Sequence, residues 1–130
     1  MNDRESEVTI ELSKALIQTM QSHVPSWKKA FVRFSANDAK FGSNGSYVTD
    51  AGVFLFDPFE RKNFFEKFNA LGKELRELFF KKNGTTFCVL LLTVDSSFEY
   101  KIDFEQNDAN KWKISKLNGA TGIPEGHSNS

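Results

Sequence analysis

Hydrophobic residues recur at every fourth position through Val8, Leu12, Leu16 and Met20, and Ile10, Ile17 and Val24 widen the stripe. That spacing predicts an amphipathic helix over Glu5 to His23, with Glu5 and Glu7 at its positive end and Pro25 stopping it. The period then changes. Between Trp27 and Phe41, Ala30, Val32 and Phe34 alternate with Phe31 and Arg33, which predicts a strand. Gly42-Ser43-Asn44-Gly45 reads as the turn after it, and Tyr47 to Phe56 as a returning strand broken near Ala51-Gly52. Asp57 then reads as an N-cap and Pro58 as the first position of a second helix, Phe59 to Lys82. Its stripe is Phe64, Phe65, Phe68, Leu71, Leu75, Leu78 and Phe79, and Asn83-Gly84 supplies the C-terminal cap.

Phe87 to Val94 is almost wholly apolar and reads as a central strand. Asp95-Ser96-Ser97 turns the chain into a strand where Phe98, Tyr100, Ile102 and Phe104 alternate with Glu99, Lys101, Asp103 and Glu105. The first set is expected to face the core and the second set water. Lys111 to Ile114 reads as a short strand or a helix packing Trp112 and Ile114, and residues 119–130, rich in Gly, Ser, Asn and Pro, as a disordered tail. The fold class is therefore α+β in the order αββαββ. One antiparallel sheet of about four strands carries helices on one face, in a single domain over 1–118.

Composition adds two points. At 130 residues with 14 phenylalanines, the chain can bury a core without staples. Formal charge is zero, which favours neither nucleic acid nor membrane as a partner, but its distribution is uneven. Asp95, Glu99, Asp103, Glu105 and Asp108 stand against Lys101 alone, whereas Asp57 to Lys82 has more bases than acids. With one cysteine, no transmembrane run and a polar N-terminal stretch, the expected setting is the cytoplasm.

Catalytic chemistry finds little to work with. Cys88 falls inside an apolar strand, and His23 and His127 fall at a helix end and in the tail, so no nucleophile has a positioned base. One cysteine and two remote histidines do not make a zinc site, and no cofactor is expected. Asp103 and Glu105, two positions apart on one strand face, could act as an acid and base pair, but a solvated strand face explains them better. The glycine pairs lack a following helix to aim at a phosphate. Trp27 and Trp112 either anchor an interface or cover an edge of the core.

Several segments together resemble the YezG-like family of small bacterial immunity proteins: Trp27 opening the first strand, Phe79-Phe80-Lys81-Lys82-Asn83-Gly84 closing the long helix, Ser97-Phe98-Glu99-Tyr100-Lys101-Ile102-Asp103-Phe104, and Asn110-Lys111-Trp112-Lys113. Glu105-Gln106-Asn107-Asp108 stands where that family carries an aromatic-acid-acid run, and Phe87 where a tryptophan is common. The resemblance implies an antitoxin that binds a cognate toxin domain, often a nuclease, and occludes its active site. Nuclease toxins bind a polyanion and tend to be basic, so an acidic surface would suit the partner. The expected contacts are Glu99, Asp103, Glu105 and Asp108 with Asp95 at the rim, on a non-enzymatic protein that is a monomer or weak dimer when free. No direct contact with nucleic acid or membrane is expected. The alternative is a small-ligand or enzymatic domain with a pocket between helices and sheet.

Overall fold

A computed structural model describes residues 3–127. Two helices, α1 (Asp3–His23) and α2 (Lys62–Asn83), pack on one face of a five-stranded antiparallel sheet. The strands are β1 (Lys29–Ala36), β2 (Phe41–Thr49), β3 (Gly52–Leu55), β4 (Val89–Asp95) and β5 (Tyr100–Glu105), arranged β3-β2-β1-β4-β5. The α+β class and antiparallel sheet agree with the periodicity. The strand count is five because the break at Ala51-Gly52 is a full turn, and Gly52 takes a φ of 134° to make it.

The fourfold stripe of α1 is the core. Val8, Leu12, Leu16 and Met20 are fully buried against Phe68 and Leu75 of α2 and the helix-facing residues Ala30, Val32, Phe34, Leu90 and Leu92. Arg4 fastens the two helices at their rim, donating from Nη2 to Glu74 Oε1 at 2.7 Å and from Nε to Glu74 Oε2. Gly84 ends α2 in the left-handed conformation, its N–H donating to the Phe80 carbonyl. At the other end α2 starts at Lys62, because Asp57 caps a preceding turn instead: its Oδ1 accepts from Phe59 N at 2.8 Å.

The first hairpin corrects the sequence reading. Its turn is at Asn37–Lys40, where the Asn37 side chain accepts from Ala39 N and Lys40 N, both at 2.8 Å. Gly42 to Gly45 lies within β2, paired to β1. Gly45 is there for packing: a Cβ would press on the Phe31 carbonyl and stand 2.9 Å from Phe56 Cδ2.

The second sheet face is covered by the C-terminal segment, and this too differs from the expectation of a disordered tail. Phe31 and Leu91 bury there against Ile114, with Trp112 and Ile123 beside them. Arg33 Nε donates to Lys111 O at 2.8 Å and Nη2 to Ala109 O at 2.7 Å. Further along, Asn44 Nδ2 donates to Ile114 O and Ser46 Oγ to Gly122 O. His127 closes the segment edge-on to the Phe31 ring, with centroids 5.3 Å apart. Trp112 is in neither strand nor helix; it lies in a turn with a φ of 58°. Residues 128–130 of the expected tail lie outside the described residues.

Candidate functional site

β5 is one edge of the sheet, so its outer backbone groups have no strand partner among the described residues. Ile102 and Phe104 turn towards the helices as the alternation predicts, and Phe104 meets the rings of Phe79 and Phe87 at 4.7 and 4.9 Å. Asp103 stands opposite Leu91, and Lys101 opposite Thr93, which places the charged row on the sheet's other face.

The alternation fails at its first half. Phe98 and Tyr100 are 53% and 48% exposed. Phe98 precedes the strand, in the β4–β5 turn, with a φ of 72°. The turn is built by Asp95: its Oδ1 accepts from Ser97 N at 2.9 Å, Ser97 Oγ at 2.6 Å and Glu99 N at 3.2 Å. Phe98 N donates to the Asp95 carbonyl, and Ser96 N to the Lys28 carbonyl, which fixes the tip to the start of β1. The hydroxyl of Ser97, and the amides after it, hold the Asp95 carboxyl below its usual range.

The acids are therefore not equivalent. Asp95 is committed to its turn. Glu105 Oε2 accepts from Asn107 N and Asp108 N at 3.0 and 3.1 Å, and Lys111 Nζ lies 3.9 Å from its other oxygen. Those amides, Asn107 first, lower the Glu105 pKa. Asp108 Oδ1 accepts from Asn110 N at 2.9 Å. Asp103 pairs with Lys101 Nζ at 3.6 Å, and Glu99 is exposed. The structure thus keeps Asp103 and Glu105 in the edge strand β5, with Glu99 in the turn just before it, Asp95 at the end of β4 and Asp108 in the loop after β5. From Glu99 to Glu105 the row spans roughly 20 Å, at about 3.3 Å per residue.

Beside the hairpin is a cavity of about 430 Å³ lined by Lys29, Thr93, Asp95, Glu99, Tyr100, Lys101 and His127. Thr93 Oγ1 and His127 Nδ1 are buried with no hydrogen-bond partner among the described residues. Nothing in the periodicity signals this cavity, because His127 reaches it from the C-terminal segment. Cys88 is half-buried, and burial pushes its thiol pKa up, away from the reactive thiolate. Among the described residues no group of three or more His, Cys, Asp or Glu is placed to hold a metal ion.

No protein-family model matches the sequence, and no curated protein matches it either. Likewise, no helix among the described residues is long and apolar enough to cross a membrane.

Proposed function

We propose that this chain is a binding protein that docks a basic protein partner through the β4–β5 hairpin and the β5 edge. In the sense of the resemblance above, it is an immunity protein that occludes a cognate toxin domain. One observation carries the reading: Phe98 is a bulky residue held at positive φ and left half-exposed at a turn. Stability alone favours Gly or Asn there, since the left-handed region costs an L-residue roughly 1–2 kcal/mol. Strain not offset by burial points to a role outside the fold. Tyr100 adds a second exposed ring, and Glu99 and Asp103 supply charge complementary to a basic surface.

The test is co-expression with the toxin encoded beside the gene. Survival of the cells, and a complex that persists through size exclusion, are the expected results. Continued killing with no complex refutes the reading.

A further inference from the structure

A second concavity, sharing no residue with the hairpin cavity, lies between the β1–β2 turn and the C-terminal half of α2. It encloses about 550 Å³, within the roughly 300–1,000 Å³ usual for small-molecule sites. Part of its lining is apolar. Phe41 and Phe80 line it while 51% and 58% exposed, and Ala36 and Ala39 line it too. Two half-exposed phenylalanines on one groove are unfilled apolar surface.

The rim is cationic. Arg76 is fixed as part of the wall, its Nε donating to the Phe87 carbonyl at 3.1 Å and its Nη2 lying 3.8 Å from Asp38 Oδ1. With that pair facing each other, Lys40 and Lys73 stand against Glu77 alone. Lys73 Nζ lies over the Phe41 ring, 4.3 Å from its centroid. It therefore spans both elements a ligand would need: an apolar wall and a positive head-group anchor. We propose that this groove binds a small amphipathic carboxylate, its apolar body against Phe41 and Phe80 and its carboxylate on Lys73 and Lys40. A cationic amphiphile of the same length meets the wrong rim, and a neutral one lacks the anchor.

The test uses the isolated full chain, isotope-labelled for NMR, titrated with decanoate, decanol and decyltrimethylammonium. Decanoate is expected to shift the amides of 36–41 and 85–86 saturably, and decyltrimethylammonium to bind at least tenfold more weakly. Lys73→Gln and Phe80→Ala should each weaken decanoate at least fivefold, while Lys14→Gln, on the exposed face of α1, leaves it unchanged. Both test positions are on the exposed surface of α2, so the variants fold. Shifts that are scattered or fail to saturate overturn the proposal. Equal binding of the cationic amphiphile, or indifference to both substitutions, overturns it as well. The docking surface on β5 stands or falls separately, because no residue is shared.

Discussion

Replacing Phe98 with asparagine separates a docking residue from a structural one. At a φ of 72° the phenylalanine costs the native chain about 1–2 kcal/mol, which asparagine, tolerant of that region, largely relieves. The loss on the other side is packing. Full burial of such a ring is worth about 1.5–3 kcal/mol, and Phe98 is 53% exposed, so about 1 kcal/mol is at stake. The two terms oppose each other at similar size. Phe98→Asn should therefore leave the free energy of unfolding within about 1 kcal/mol of the parent.

Urea denaturation followed by the fluorescence of Trp27 and Trp112 measures this directly. Phe68→Ala is the reference, since Phe68 is fully buried and its truncation should cost about 3–5 kcal/mol. Binding of the partner should behave in the opposite way, with Phe98→Asn weakening it tenfold or more. A loss of more than about 2 kcal/mol of stability in Phe98→Asn refutes the reasoning, because the ring would then be holding the hairpin and its exposure would need no partner.

Gly45→Ala should destabilise by about 3 kcal/mol, because its Cβ meets the Phe31 carbonyl, whereas Gly42→Ala, with nothing within 4 Å, should stay within about 0.5 kcal/mol; the same urea titration compares them. Arg33→Met removes both donors that hold the carbonyls of Ala109 and Lys111, so the amides of Gly122 and Glu125 should exchange hydrogen faster, at a cost of about 1 kcal/mol. Acid should destabilise the fold through Glu105 and Asp95. Both carboxyls are held below their usual range, so their contribution is complete above about pH 4.5 and is lost as pH falls through the lowered values. Urea midpoints from pH 7 to pH 3 should fall, and Glu105→Gln should flatten the fall.

Period-two and period-four patterns made the layers legible, since burial of one face is what writes them. Val8, Leu12, Leu16 and Met20 are buried as spaced, and Ala30, Val32 and Phe34 share the helix side as their alternation requires. Glycine was where the pattern misled. Gly42 to Gly45 has turn composition, yet the chain turns earlier, because Asn37 can satisfy two amides with its own side chain and Gly45 is needed where Phe31 and Phe56 approach. The C-terminal segment was hidden for a different reason. Among the described residues it makes no ladder, and beyond the short alternation at Lys111 to Ile114 it has no period. It is held by Arg33, which reaches two of its carbonyls, and by Asn44 and Ser46, which reach one each. Such contacts are set by tertiary position and leave no local trace.

The acidic row shows how far a strand pattern can be taken towards function. Alternation placed Glu99, Asp103 and Glu105 together, but it could not weigh them. Asp95 and Glu105 are followed by Ser97 and by Asn107 and Asp108, whose amides they accept, and Lys101 and Lys111 stand beside Asp103 and Glu105. The outward charge is therefore smaller than the count of carboxylates suggests, and long-range attraction alone would be weak beyond about 8 Å at physiological salt. The docking proposal then divides between two groups of residues. Reversing Glu99 and Asp103 to lysine should slow association by about tenfold at low salt and much less at high salt. Removing the Phe98 ring should instead speed dissociation and respond little to salt. Surface plasmon resonance across a salt series resolves the two rates. If the charge reversals change only dissociation, the acids are buried contacts and the interface lies deeper over the β5 edge than the hairpin tip.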